Sequence, residues 1–269
     1  MKSVNNILLV GCGNMGSALL RGWLTQGVDA QQLHVIDEQD GVLERALSFG
    51  VSASSSLSAS VAQPDVIVFA VKPQQIDMLV PQFAELAERG AVVLSVAAGK
   101  SIGAIEKLLG GAPMVVRAMP NTPAAIGQGI TALVANSAVG GEQKSLCERL
   151  LSAVGAVVWL DDEALMDAVT AISGSGPAYV FLLIEALAGA AEKEGLAADL
   201  AKTLATATVA GAGAYAAQSL TDPGRLREQV TSPGGTTQAA LEILMGDDGL
   251  AELIAKAVQA AAARSRELG

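Results

Sequence analysis

The stretch Ile7-Leu8-Leu9-Val10-Gly11-Cys12-Gly13-Asn14-Met15-Gly16 decides the architecture of this chain. Four consecutive apolar residues read as a strand buried on both faces. The chain then turns through Gly11, Gly13 and Gly16 into a helix expected over 14–26. In a strand–turn–helix of this spacing the first glycine permits the tight turn. The second lets a diphosphate approach the main chain, and the third lets helix pack on strand. N–H groups at the helix start, with the helix dipole, complete an anion cradle. The motif therefore predicts a dinucleotide-binding sheet domain of the Rossmann type.

Working outward, further apolar runs at 34–36, 66–71, 92–96, 114–117, 131–135 and 156–160 read as strands. Helical patterns at 74–88, 102–109 and 142–154 lie between them. Such alternation predicts a parallel sheet with helices on both faces. Ser54-Ser55-Ser56-Leu57-Ser58 reads as a loop and helix cap within this rhythm. After Asp161-Asp162 the strand pattern stops, and 163–268 reads as helix broken at 174–177, 195, 222–224, 232–235 and 246–249. The expected fold is thus α/β: a Rossmann-type sheet domain over 1–160, then an all-α domain over 161–269. Residues 179–184 are apolar around the whole helical circumference and need cover on every side. A helical region of this size supplies such cover poorly alone, so a subunit interface is expected.

Composition narrows the chemistry. Hydrophobic residues make up 51 % and charged residues 16 %, with a net charge of −10. A negative field repels phosphate backbones, so no nucleic-acid partner is expected. The run at 7–10, preceded by Lys2, is too short for a signal peptide, and the stretch at 179–191 is too short to span a bilayer. A cytoplasmic protein with no membrane partner follows. Cys12 and Cys147 lie far apart and read as structural thiols. The single histidine, His34, sits in a predicted strand. With so few ligands a metal site lacks its parts, and no metal is expected.

Asp37 ends the second strand, about 20 residues after Gly16, where a carboxylate accepts hydrogen bonds from an adenosine ribose 2′-hydroxyl. A turn-forming acid is the plainer reading. Ala70-Val71-Lys72-Pro73 ends a later strand, at the sheet edge where ligands bind. Lys72 there could meet a phosphate, a ribose or a carboxylate, or simply face solvent. In Arg117-Ala118-Met119-Pro120-Asn121-Thr122-Pro123 two prolines bracket Asn121-Thr122, in a rigid loop suited to a nicotinamide ring or in a structural turn. Val230-Thr231-Ser232-Pro233-Gly234-Gly235-Thr236-Thr237 precedes a helix whose buried side would carry Ala239, Ala240, Ile243 and Leu244. Glycines and hydroxyls gathered at a helix start form a second anion cradle.

Together these motifs resemble pyrroline-5-carboxylate reductases. The resemblance rests on GCGNMG, FAVKPQ, RAMPNTP, SGSGPAY and VTSPGGTT, in that order along nearly the whole chain. It implies reduction of the cyclic imine L-1-pyrroline-5-carboxylate to L-proline, the final step of proline biosynthesis, with hydride from NADPH or NADH. It further implies that Ser232, Gly234, Gly235 and Thr236 hold the substrate carboxylate while Thr237 directs its hydroxyl at the ring nitrogen. Gly11, Cys12, Gly13, Asn14, Met15, Ala70, Val71, Lys72 and Ala97 would line the dinucleotide, with Asn121 near the nicotinamide. A homodimer, and larger rings of dimers, are implied as well. Asp37 and Glu38 depart from the small or hydroxyl residues of NADPH-preferring relatives. The motifs leave open a reductase of six-membered cyclic imino acids and a non-catalytic dinucleotide sensor. Imine reduction suits the inventory, because a proton at nitrogen can come from a hydroxyl or water while proximity and electrostatics supply most of the rate.

Overall fold

The computed structural model describes residues 6–58 and 61–268; Lys2 lies outside them. Among the described residues eight strands form one sheet: β1 (Ile7–Val10), β2 (Leu33–Ile36), β3 (Ser52–Ser54), β4 (Val66–Phe69), β5 (Val92–Ser95), β6 (Val115–Met119), β7 (Gly129–Ala135) and β8 (Gly155–Trp159). Their order is β3-β2-β1-β4-β5-β6-β7-β8. The central strands β1, β4 and β5 are buried at every position, as their unbroken apolar runs require. Alternation along β1 divides the core: Ile7 and Leu9 pack with Leu19, Trp23 and Val68, whereas Leu8 and Val10 pack with Phe69, Ile76 and Phe83. Trp23 closes its side by donating Nε1–H to the Leu150 carbonyl at 2.8 Å.

Around the sheet lie α1 (Asn14–Thr25), α2 (Asp40–Ser48), α3 (Pro73–Leu79), α4 (Ala84–Glu88), α5 (Ile102–Leu109) and α6 (Gly141–Ser152). Three expectations are corrected here. The sheet is not parallel throughout, because β7 runs antiparallel to β6. The link between them is a short 3-10 turn, Thr122–Ile126, rather than the crossover that a parallel pair needs. The single helix expected over 74–88 is interrupted by a 3-10 turn, Val80–Phe83, at Pro81, whose ring cannot sit inside a regular helix. The serine-rich stretch 54–58 opens on Ser54, the last residue of strand β3, and no helix begins within it.

The chain forms two compact units. One runs to Gly174 and includes the residues from Ala262 onward; the other is Ser175–Ala261. Strands end at Trp159, but the first unit continues through α7 (Met166–Val169) and a π-helical turn, Thr170–Gly174. Met166 and Ala171 are buried there, and Ser265 Oγ donates to Asp167 Oδ1 at 2.6 Å. The second unit holds α8 (Gly176–Lys193), α9 (Ala198–Gln218), α10 (Pro223–Gln229), α11 (Thr236–Leu244) and most of α12 (Leu250–Leu268). Helices α8 and α9 pack side by side. Within the single chain α8 buries none of its residues, and Val180, Phe181, Leu182 and Leu183 are exposed. By length and composition alone, Glu163–Lys193 is long and apolar enough to cross a membrane.

Candidate active site

The glycine turn has the conformation its sequence requires. Gly11 has φ +86°, a region that side chains disfavour, and an added Cβ would lie 2.9 Å from the Ala70 main chain. A Cβ on Gly16 would strike the Gly11 carbonyl oxygen, so helix and strand approach as closely as the motif predicts. A Cβ on Gly13 meets nothing within 4 Å, because Gly13 faces an open cavity of about 340 Å³. No side chain caps the α1 N-terminus at Gly13. The turn thus offers main-chain N–H groups and space for a diphosphate.

Of the expected dinucleotide residues, Gly11, Gly13, Asp37, Ala70, Val71 and Lys72 line this cavity together. Cys12, Asn14 and Met15 instead line a separate cavity of about 470 Å³, bordered by α1, α2 and Thr122. Gly16 and Ala97 are buried and line neither. Glu38, Ser55, Ser56 and Gln75 also line the first cavity. Ser55 and Ser56 carry no motif, and the position of the polar strand β3 beside β2 is what brings them there.

Asp37 is engaged by the main chain itself. Its Oδ2 accepts the Cys12 N–H at 2.8 Å and its Oδ1 accepts the Gln39 N–H at 3.0 Å. Asn121 is held similarly: its Oδ1 accepts the Ile130 N–H at 3.0 Å, which leaves the amide NH₂ as its donor group, and it lines neither cavity. Ala97 N–H donates to Ser95 Oγ at 3.3 Å.

The second cradle lies in the helical unit. Gly234 has φ +69°, and Gly235 N–H donates to the Ser232 carbonyl at 3.0 Å. A Cβ on Gly235 would come 2.5 Å from Ser232 Oγ, so any side chain there would turn the Ser232 hydroxyl away. Gly235 is the N-cap of α11 and brings no side-chain cap, which leaves the start of that helix open to an anion. Gly234 N–H is taken by Gln238 Oε1 at 2.7 Å, a contact the motif did not reveal. The face of α11 expected to be buried is open in the single chain: Ala239 and Ala240 are exposed, as are Ile243 and Leu244. Amphipathic spacing marks a face that wants cover without saying whether this chain or another provides it.

Both cysteines are free and buried. Burial pushes the Cys147 thiol from its usual 9.0 up to about 12, and raises that of Cys12 against an opposing hydrogen bond with Ser17. His34 Nε2 pairs with Ser54 Oγ at 2.8 Å, and burial lowers its pKa.

Comparison with known proteins covers both units. Residues 163–268 match the family described as pyrroline-5-carboxylate reductase dimerisation, and residues 6–99 match NADP oxidoreductase coenzyme F420-dependent. A pyrroline-5-carboxylate reductase of Pseudomonas aeruginosa is 42 % identical over 99 % of this chain and 97 % of its own length. The solved pyrroline-5-carboxylate reductase of Coxiella burnetii superposes with a TM-score of 0.95 at 39 % identity, covering 99 % of each chain. That of Plasmodium falciparum, solved with NADP bound, gives 0.84 at 29 % identity, over 100 % of this chain and 99 % of its own.

Proposed function

The chain belongs to the pyrroline-5-carboxylate reductase family, and on that premise we propose which of its residues bind the dinucleotide, hold the imine and assist its reduction. The enzyme reduces pyrroline-5-carboxylate to proline with NAD(P)H. The dinucleotide, when bound, supplies the hydride. Residues 1–160 serve as the dinucleotide-binding domain and 161–269 as the substrate-binding and dimerisation domain.

Gly11, Cys12, Gly13, Asn14, Met15 and Gly16 form the turn that receives the diphosphate. The observation that carries this assignment is the Gly13 cradle, open to the cavity that Asp37 and Lys72 also line. Asp37 receives the adenosine ribose, and with Glu38 beside it a 2′-phosphate is disfavoured, so NADH is the preferred reductant. Ala70, Val71, Lys72 and Ala97 flank the dinucleotide, and the Asn121 NH₂ donates to the nicotinamide end.

Ser232, Gly234, Gly235 and Thr236 hold the substrate carboxylate at the start of α11. The open helix N-terminus there supports the assignment. Thr237 offers its hydroxyl to the ring nitrogen, where a proton must arrive as hydride reaches the adjacent carbon. The substrate pairs an imine nitrogen with a carboxylate, and a cradle flanked by a hydroxyl is complementary to both.

The dimerisation match spans the exposed faces of α8 and α11, so the apolar surface of α8 is read as a protein interface and not a membrane span. Beyond the dimer we assign rings of dimers, and the cytoplasm as the compartment. Steady-state kinetics with NADH and NADPH on five- and six-membered cyclic imino acids test the whole reading. Turnover of the five-membered ring with NADH should be fastest; equal or faster turnover of the six-membered ring would overturn the substrate assignment.

A further inference from the structure

Arg117 is 9 % exposed in the middle of the sheet, and no step assigned above uses it. On β6 it stands beside Ser95 of β5 and Val134 of β7. Its Nη1 donates to Glu163 Oε1 at 2.7 Å. The same carboxylate oxygen accepts the Ile102 N–H at 2.9 Å, at the first residue of α5. One atom therefore joins three segments. They are the centre of β6, four residues before Asn121, the far end of the β5–α5 loop that carries Ala97, and the 3-10 turn after β8.

The arrangement is electrostatically consistent. A carboxylate at a helix N-terminus meets unpaired N–H groups and the positive end of the dipole. The guanidinium beside it has little access to water, with 10 % of its side chain exposed against 29 % for Glu163. Removing either partner strands the other charge in a poorly solvated place. Neither residue lines the dinucleotide cavity, so any influence on the reaction must pass through the segments they join.

We propose that Arg117 and Glu163 are positioning residues, which fix the Ala97 loop and the Asn121 loop at the spacing that hydride transfer requires. The proposal rests on the reading of Ala97 and Asn121 as dinucleotide residues. Its chemical logic is geometric: a misplacement of about 1 Å at reacting atoms can cost about a hundredfold in rate.

The test compares Glu163→Ala, Glu163→Gln and Asn121→Ala in the full-length protein. It reads Tm without ligand, the NADH dissociation constant by fluorescence, kcat, and the primary isotope effect with 4-deuterated NADH. Glu163→Ala should lose about ten- to a hundredfold in kcat, with a larger isotope effect and NADH affinity within about threefold of the parent. Glu163→Gln keeps an oxygen at the crossing but leaves the Arg117 charge unpaired, so its kcat should fall between those of Glu163→Ala and the parent. A fall in Tm with unchanged kcat and isotope effect would reduce the pair to a structural role and overturn the proposal. If Asn121→Ala changes the isotope effect and Glu163→Ala does not, positioning is overturned as well. If Glu163→Ala changes it and Asn121→Ala does not, positioning stands through the Ala97 loop and the Asn121 assignment falls. Should Glu163→Ala fail to fold, Arg117→Lys carries the same readouts, since it keeps the charge and loses the guanidinium geometry.

Discussion

The Asp37 carboxylate accepts the Cys12 main-chain N–H at 2.8 Å, so the end of β2 is tied directly to the glycine turn of β1. The residue proposed to read the adenosine ribose is thus also part of the scaffold of the glycine turn. Its second oxygen, on the Gln39 N–H, fixes the direction in which the carboxylate faces the cavity.

Cofactor choice follows from that pair of contacts. Asp37→Ser with Glu38→Arg should move the ratio of kcat/KM values toward NADPH, because a cation replaces an anion where a 2′-phosphate would lie. Losing two charge-assisted hydrogen bonds should also lower Tm. An unchanged ratio for the two cofactors would show that Asp37 does not read the ribose.

Two glycine substitutions in the turn should fail differently. Gly16→Ala places a methyl against the Gly11 carbonyl oxygen and should destabilise the protein by about 1–3 kcal/mol. Gly13→Ala meets no neighbour within 4 Å, so Tm should hold while the methyl intrudes on the diphosphate and weakens NADH binding. Thermal melts beside fluorescence titrations separate the two; a Gly13→Ala protein binding NADH as the parent does would contradict the cradle.

Assembly should depend on α8. Phe181 and Leu182 are 59 % and 63 % exposed in the single chain. Replacing both with glutamate should convert the dimer to a monomer in light scattering at micromolar concentration. A parent protein already monomeric there would contradict the interface.

Alkaline stability should carry the mark of Cys147. Its folded pKa, about 12, lies above the usual 9.0, so the protonated thiol is favoured by the fold. That contribution is complete below pH 9 and is lost as pH rises from about 9 toward 12. In urea denaturation the stability gap between the parent and Cys147→Ala should narrow between pH 8 and about 10.5. A constant gap would place the thiol in contact with water.

Much of this was legible in the residues because the decisive signals are local. The bounds of β1 follow from four apolar residues and a glycine. Those of α5 follow from Ser101, whose Oγ caps Ala104 N–H at 3.2 Å, and from Gly110 at the other end. Strand β3 was missed because Ser-Ala-Ser has no apolar pattern and pairs on one side alone at the sheet edge. The direction of β7 depends on how the chain crosses from β6, which strand composition does not encode. Arg117 and Glu163 lie 46 positions apart, and no periodicity connects a buried cation to a carboxylate in a later turn. The open face of α11 was likewise illegible, because amphipathic spacing marks an apolar face without saying whether the same chain buries it.

Thr237 is the residue proposed to offer its hydroxyl to the ring nitrogen, where charge changes as hydride arrives. A hydrogen bond to such a group is worth roughly 1.5–3 kcal/mol, or about ten- to two-hundredfold in rate. A bond of this kind can strengthen in the transition state, so its loss should fall on kcat rather than on KM alone. The most direct measurement is therefore kcat of Thr237→Ala with pyrroline-5-carboxylate, beside its NADH dissociation constant and the Thr237→Ser control. The expected result is a kcat loss on that scale, unchanged NADH affinity, and recovery of most activity in Thr237→Ser. A Thr237→Ala enzyme with the parent kcat would contradict the account and assign the proton to water or another hydroxyl.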